Sequence, residues 1–385
     1  RHLRLQDLEQ AMAQGEPEAM DRLAAHPDPL ALQILACSLA SPQASSRHKA
    51  ALRLGSRGEA GIRAALPYLF SDQSATVEAA LQVLGTSGTA WGRALLQAQF
   101  DSRARGAARA WLESHSLVAE TLPQRFLIEA LQQESGRHRQ LAFRVLRWLE
   151  GEELIETLRL ALLSQGGRKA GALEVLSNLG ERHLAQLFVT LLEPNSAEER
   201  ARLLRESLGK ARQEAALSDD PWVRWAALRV RNPGPAWEAS KMEQLLALRR
   251  THPFHRLDLD QLERLRLLMV EERLGEATQL WTAGQALDRA YVPLEGELEP
   301  IFHGGVELAG QMPARASLAS RGPVRLLRLS ARDWQRALVE LPGLALGTFQ
   351  WLSGELRRSE RPNPVSRISA PSLGKLDGVK NGDSI

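Results

Sequence analysis

Residues 49–55 read Lys-Ala-Ala-Leu-Arg-Leu-Gly, and residues 78–85 read Glu-Ala-Ala-Leu-Gln-Val-Leu-Gly. Their Leu-Gly endings lie thirty residues apart, and similar stretches follow at residues 105–112, 140–146, 169–176 and 221–228. In such a pattern small alanines let neighbouring helices approach closely, while leucines supply the buried contacts. The pattern predicts a series of short, packed helices over residues 1–235.

The ends of these helices are also predicted from the sequence. Gly55 and Gly85 are expected to adopt the left-handed conformation that often closes a helix. Ser71-Asp72 and Asp220 precede two of the stretches and are expected to act as N-caps. A pair of helices of about 30 to 45 residues cannot bury its apolar side alone, so such units stack into a solenoid. In this respect residues 1–235 resemble HEAT repeats.

The composition is that of a folded, mainly helical chain. Of its 385 residues 44% are hydrophobic, 25% are charged and 5% are aromatic, which excludes a disordered or collagen-like protein and suggests two or three domains. The 49 basic and 46 acidic residues leave a net charge of only +3. This small surplus argues against a nucleic-acid-binding protein, because duplex binding depends on an excess of cations that face phosphate.

The cellular location is predicted from three features. Cys37 is the only cysteine and cannot form an internal disulfide, so a reducing compartment is expected. No stretch has the ~20 apolar residues that a membrane-spanning helix needs. We therefore expect a cytoplasmic protein. Because the chain begins with Arg1 and not with methionine, tethering through a membrane domain that precedes Arg1 is kept as an alternative.

A second domain is predicted over residues 236–358. The sequence Arg-Asn-Pro-Gly-Pro at residues 231–235 cannot continue a helix. Helices follow it, and then short apolar runs between turn residues predict strands at 279–281, 290–298, 305–309, 316–319 and 324–329. Ser330 is predicted to cap a long helix that reaches about Arg358. Residues 359–385 lack an apolar period and predict a flexible tail.

The second domain resembles cyclic-nucleotide-binding domains. Leu-Glu-Gly-Glu-Leu at residues 294–298 is similar to a strand and turn of that family, and residues 281–291 are similar to the run before it, with Gly284 in the turn. Residues 323–334 resemble the last strand and the start of the closing helix, and residues 341–345 resemble the helical hairpin beyond. The resemblance implies a β-roll with flanking helices, so the predicted fold is mainly α, a HEAT-like α-solenoid followed by this small β-roll.

The resemblance also implies candidate binding residues. The family holds its ligand with a phosphate-binding cassette, which supplies helical N–H groups and an arginine for the phosphate and a glutamate for the ribose. Arg315, Ala316 and Ser317 match the end of that cassette, and Glu307 is the candidate ribose ligand. The interval 300–314 is too short for every element of the family. Either residues 305–309 are a distorted cassette, or they are a strand and the cassette is deleted.

We favour the deletion, because residues 306–309 alternate as a strand does and no glycine directly precedes Glu307. No catalytic motif and no metal-binding set is present; His252 and His255 flank Pro253 without a third ligand. The leading hypothesis is a non-enzymatic regulatory or scaffolding module with no cofactor and a protein partner on the solenoid. The alternatives are a cAMP or cGMP sensor and a DNA-binding or DNA-repair solenoid.

The tandem of HEAT-like helices and a cyclic-nucleotide-binding-like roll resembles the cytosolic region of certain bacterial membrane proteins. These are related to nucleotide translocases and to the major facilitator superfamily. Residues 168–179 and residues 220–224 carry the resemblance in the helical part. It implies a membrane domain, in the same or another chain, as a second partner.

Overall fold

The computed structural model describes residues 5–13, 18–71, 73–164, 166–179, 182–193, 195–208, 218, 220–232, 234–275, 278–299, 307–308, 312–314 and 316–359. The chain divides into two compact units, residues 1–239 and residues 240–385. The division lies within one helix, whereas the sequence places the boundary at residue 235. Below, the two units are called the helical unit and the β unit.

The described part of the helical unit consists of α-helices joined by short turns. They are α1 (Leu5–Ala13), α2 (Ala19–Ala25), α3 (Pro29–Cys37), α4 (Ala44–Gly55), α5 (Glu59–Ala65), α6 (Ser74–Thr86), α7 (Ala90–Ser116), α8 (Leu122–Glu150), α9 (Glu152–Leu162), α10 (Gly167–Ser177), α11 (Arg182–Leu192), α12 (Ala197–Leu208) and α13 (Pro221–Arg231). Short 3-10 turns occupy Ser38–Ala40 and Leu66–Phe70. Helix α14 (Ala236–Arg250) contains the division between the units.

The described residues of the β unit form two small antiparallel sheets with helices before and after them. Helix α15 (Leu259–Leu267) precedes the strands β1 (Val270–Leu274), β2 (Gln279–Trp281), β3 (Arg289–Glu295), β4 (Leu298–Glu299), β5 (Leu318–Ser320) and β6 (Val324–Ser330). Helices α16 (Ala331–Glu340) and α17 (Pro342–Ser359) follow. The strand orders are β1-β6-β3 and β2-β5-β4. The predicted fold class, mainly α with a small β domain, is confirmed.

The helical repeats are less uniform than predicted. The stretches at 105–112 and 140–146 lie inside α7 and α8, which are 27 and 29 residues long, and not in separate short helices. Gly106 is tolerated in the interior of α7 because it faces α8. A Cβ at this position would lie 2.9 Å from Nε2 of His138. The glycine therefore marks a helix contact and not a helix end.

Gly55 and Gly85 correct the prediction in the same way. Gly55 is the last residue of α4 and Gly85 lies within α6, and neither has the positive φ angle that was expected. A Cβ at Gly55 would overlap the side chain of Thr86, and one at Gly85 would overlap the indole of Trp148. The left-handed residues come three positions later, at Gly58 with φ of 57° and at Gly88 with φ of 63°.

One predicted N-cap is confirmed and the other is not. The Asp220 carboxylate accepts hydrogen bonds from the backbone N–H groups of Trp222 and Val223, at 2.8 and 3.1 Å, and it also pairs with Arg137. Helix α6 begins after Gln73, whose side chain makes no cap. The Ser71 hydroxyl accepts the Gln73 N–H instead, at 3.2 Å, and Asp72 lies outside the described residues.

Three tryptophans of the helical unit are involved in packing. Trp111 is 8% exposed and stacks on His115, with ring centroids 3.7 Å apart. Trp222 and Trp225 both contact Phe126, at 6.0 and 5.3 Å between centroids. Aromatic rings of this size fill the gaps between helices and contribute apolar burial.

Strand β1 was not predicted, and an arginine explains its position. Arg325 on β6 pairs with Glu271 of β1 at 3.1 Å, with Glu295 of β3 at 2.9 Å, and with Glu243 of α14. Strand β1 itself reads Val-Glu-Glu-Arg-Leu. Its pairing with β6 places its two glutamates beside Arg325 and Arg328. Its sequence alone resembles a solvated helical turn.

The end of the β unit differs from the single long helix predicted. Ser330 does cap a helix, because its hydroxyl accepts the Asp333 N–H at 3.1 Å. That helix stops at Glu340, and Pro342 begins the next one, as expected for a residue that lacks an N–H and favours the first helical position. Residues 360–385 of the predicted tail lie outside the described residues. Among the described helices, none combines the length and the apolar character needed to cross a membrane.

We predict that Gly61→Ala destabilises the helical unit by about 1–3 kcal/mol, because its Cβ would overlap the backbone carbonyl of Leu54. The midpoint of thermal unfolding, followed by circular dichroism, measures the effect. Gly171→Ala is the matched control, since a Cβ there meets no atom within 4 Å, and it should stabilise helix α10 by about 0.5–1 kcal/mol. Equal midpoints for the two variants would contradict the predicted close contact.

Candidate functional site

The candidate site is formed around the connection between β4 and β5. Leu298 and Glu299 pair with Ser320 and Ala319 in antiparallel register, and Gln279 of β2 pairs with Ala319 on the other side of β5. Residues 300–317 therefore leave and re-enter the sheet at neighbouring positions. This segment contains all four residues that the sequence assigns to ligand binding.

The end of this segment is held against the turn that follows β2. Ala314 accepts the Gly284 N–H and donates its own N–H to the carbonyl of Gln285, both at 2.8 Å. Pro313 and Ala286 form an isolated antiparallel bridge next to them. Gly284 has a φ of 83°, which a residue with a Cβ rarely adopts. The prediction that Gly284 lies in a turn is confirmed.

Ala316 and Ser317 make hydrogen bonds within the protein. The indole N–H of Trp281 donates to the carbonyl of Ala316 at 3.0 Å. The hydroxyl of Ser317 accepts the backbone N–H of Ala283, also at 3.0 Å. Two of the predicted site residues thus attach the segment to β2 and its turn. Arg315, which lies between Ala314 and Ala316 in sequence, is outside the described residues.

Glu307 lies in a helical turn and not in a strand. Glu307 and Leu308 are helical and are 1% and 4% exposed. Met312 donates its N–H to the carbonyl of Glu307 at 2.8 Å. The strand predicted at 306–309 is therefore wrong at these two residues, because the two side chains are buried together as part of a turn. The neighbouring Val306 and Ala309 lie outside the described residues.

An aromatic pair supports this part of the sheet. Trp281 and Tyr291 stack with ring centroids 5.5 Å apart and an interplanar angle of 17°. Both belong to a buried cluster that includes Ala314, Leu318 and Leu326. Burial raises the pKa of the Tyr291 phenol, and the nearby Arg289 opposes this change. The phenol is therefore neutral at physiological pH, and it serves as part of an apolar wall.

Three arginines on the described strands pair with carboxylates. Arg289 binds both oxygens of Asp288, at 2.7 and 2.5 Å, and this hydrogen bonding lowers the pKa of Asp288. Arg328 pairs with Glu272 at 2.6 Å, and Arg325 holds the three glutamates described above. An anionic ligand would have to compete with these pairs. Among the described residues, no group of three or more His, Cys, Asp or Glu could hold a metal ion.

The structure brings together residues that the sequence treated as separate motifs. Trp281 and Ala283 were assigned to one resembling run and Ala316 and Ser317 to another, yet they are directly hydrogen-bonded. The sequence separation of about 35 residues carries no signal of this contact. Gly284, in the turn after β2, was the only local indication in the sequence that the backbone of this turn lies close to another segment.

Comparison with known proteins finds similarity to solved structures only. No protein-family model matches the chain, and no curated protein matches it. The N-terminal domain of a transcriptional regulator from Streptomyces coelicolor A3(2) is 26% identical, with a TM-score of 0.27 over 32% of this chain and 99% of that one. The sensor domain of the transcriptional regulator DNR from Pseudomonas aeruginosa is 19% identical, with a TM-score of 0.26 over 31% of this chain and 98% of that one.

The regulatory domain of PKA from Toxoplasma gondii, crystallised with cAMP, is 21% identical. The match has a TM-score of 0.24 and covers 26% of this chain and 45% of that one. The chain thus spans less than half of this relative. The similarity of the chain to regulatory and sensor domains extends over a quarter to a third of its length.

We predict that Ser317→Ala releases the turn after β2 without unfolding the sheet. Without the hydroxyl, the Ala283 N–H loses its acceptor, at a cost of about 1 kcal/mol. Its hydrogen exchange, read at single residues, should accelerate by roughly five-fold. The Gly284 N–H donates to Ala314 and provides an internal control that should keep its rate. Equal acceleration at both amides would show that the hydroxyl contact has no separate role.

Proposed function

We propose that the chain is a non-enzymatic regulatory or scaffolding module. In this proposal the helical unit binds a protein partner, and the β unit is a cyclic-nucleotide-binding-like roll that no longer binds a nucleotide. The observation that carries the second part is the burial of Glu307, which is 1% exposed with both carboxylate oxygens inaccessible to solvent. A ribose hydroxyl cannot reach this carboxylate unless the segment 300–317 rearranges.

The contacts of Ala316 and Ser317 support the same proposal. The Ser317 hydroxyl and the Ala316 carbonyl are used to attach the segment to β2. A cassette that binds phosphate presents such groups to the ligand. In addition, Arg289, Arg325 and Arg328 are neutralised by carboxylates, so these three arginines offer little free positive charge to an anion.

A cyclic-nucleotide sensor is the second candidate, and one observation favours it. Glu307 and Leu308 are helical, and a short helix is what the cassette of the resembling family implies for these positions. In this alternative, Glu307 would hold the ribose of cAMP or cGMP after residues 300–317 rearrange. The phosphate would be held by Arg315, Ala316 and Ser317. Burial of a charged carboxylate is unfavourable, and ligand binding would offset part of that cost.

Calorimetry separates the two candidates. For the proposed module, titration of the full chain with cAMP and with cGMP should give no saturable heat, corresponding to a Kd weaker than about 1 mM. Arg315→Ala should then behave as the unsubstituted chain does. Saturable micromolar binding would contradict the loss of ligand binding, and its disappearance in Arg315→Ala would assign the nucleotide to the cassette.

The partner-binding part of the proposal is tested by cross-linking. A cross-linker that reacts with lysine, applied to the full chain in complex with its partner, should join the partner to a lysine of the helical unit, namely Lys49, Lys169 or Lys210. Cross-links from the partner only to Lys241 and to later lysines would contradict it. The same experiment applies where the partner is a membrane domain of the same or another chain.

A further inference from the structure

Three helices of the helical unit border a groove that is open to solvent. Helices α10, α11 and α12 surround a volume of about 640 Å³. The groove is lined by apolar side chains and by carboxylates. The apolar ones used below are Leu173, Val189 and Leu203, and the carboxylates are Glu174, Glu193 and Glu206. Leu173 and Val189 are buried at 9% and 6% exposure. They form an apolar floor below an acidic rim.

The rim carries negative charge that the lining does not neutralise. Among the described residues that line the groove there is no lysine or arginine. Glu206 pairs with Arg202 outside the groove at 2.7 Å, and Glu193 accepts a hydrogen bond from the Asn195 amide at 2.9 Å. Glu174 makes no ion pair with any described residue. Two carboxylates therefore face the groove without a cation.

The shape and charge of the groove limit what can occupy it. A helical segment as long as α11, with 11 residues, would be about 16 Å long and at least 10 Å wide. Because the groove is open to solvent, such a segment would lie with one face in the groove and the other face in solvent. Because the floor is apolar and the rim acidic, the complementary segment has aliphatic side chains on one face and lysine or arginine beside them.

We propose that this groove binds a basic amphipathic segment of a partner protein. The inference rests on the proposed function, in which the helical unit binds a protein, and it adds the place of binding and the chemistry of the partner. Aliphatic side chains cover Leu173, Val189 and Leu203. Basic side chains pair with Glu174 and Glu193.

The test uses a synthetic probe and the full chain. The probe is a fluorescein-labelled peptide of about fourteen residues, with leucine at every third or fourth position and lysine elsewhere. We expect its fluorescence anisotropy to rise saturably at micromolar chain concentrations. The double variant Glu174→Gln/Glu193→Gln should weaken binding about ten-fold, as expected for two partly exposed ion pairs of about 0.7 kcal/mol each.

Two further variants make the result specific. Ala170→Trp places a large side chain at an exposed residue of the lining, so it should abolish binding while circular dichroism shows an unchanged helical fold. Glu198→Gln is the matched control, because it removes an exposed carboxylate of α12 that does not line the groove. Its affinity should stay within two-fold of the unsubstituted chain.

Several results would overturn the inference. They are no binding at 100 µM chain, equal affinity in the double variant, equal weakening in Glu198→Gln, or equal affinity for a peptide with glutamate in place of lysine.

These outcomes are distinct from failure of the proposed function. If the groove variants bind a partner that still cross-links to a lysine of the helical unit, only the proposed binding place in the groove is wrong. If no partner cross-links to the helical unit, the proposed function itself fails.

Discussion

The antiparallel pairing of β5 with both β2 and β4 is the constraint on which the candidate site depends. A strand of three residues, Leu318–Ser320, joins two neighbours whose own positions in sequence are far apart. Because β4 and β5 are antiparallel neighbours, residues 300–317 begin and end at the same end of this strand pair. The pairing of β5 with β2 also brings Ala316 and Ser317 beside Trp281 and Ala283, to which they are hydrogen-bonded.

A different constraint organises the helical unit. Backbones come close at Gly55, Gly61, Gly85 and Gly106, where a single added methyl group would overlap an atom of the neighbouring helix or turn. Such contacts bring neighbouring segments so close that only small residues fit between them. They explain why alanine and glycine recur in the repeated stretches. Gly55 and Gly85 do not supply the positive φ angles, which occur at Gly58 and Gly88 in the turns that follow α4 and α6.

The small net charge of the chain conceals an uneven distribution. On the β unit, Arg325 gathers three glutamates and so holds together two strands and a helix. On the helical unit, the groove between α10, α11 and α12 collects carboxylates without a cation in its lining. A near balance of 49 basic and 46 acidic residues is thus compatible with an acidic groove in one unit and with arginines paired to carboxylates in the other. Function depends on this local arrangement, because charges act over about 10 Å in salt solution.

The sequence by itself determined the mainly helical class, the change from helices to strands before residue 279 and the positions of β2, β3, β5 and β6, because these depend on local periodicity and turn residues. It also determined two caps, Asp220 and Ser330, since a cap is made with residues two or three positions away. Only the tertiary structure decided that residues 105–112 and 140–146 lie in long helices, that β1 is a strand, and that Glu307 is buried in a helical turn. These outcomes depend on contacts with segments distant in sequence, such as His138 against Gly106 and Arg325 against Glu271, and no local pattern records them.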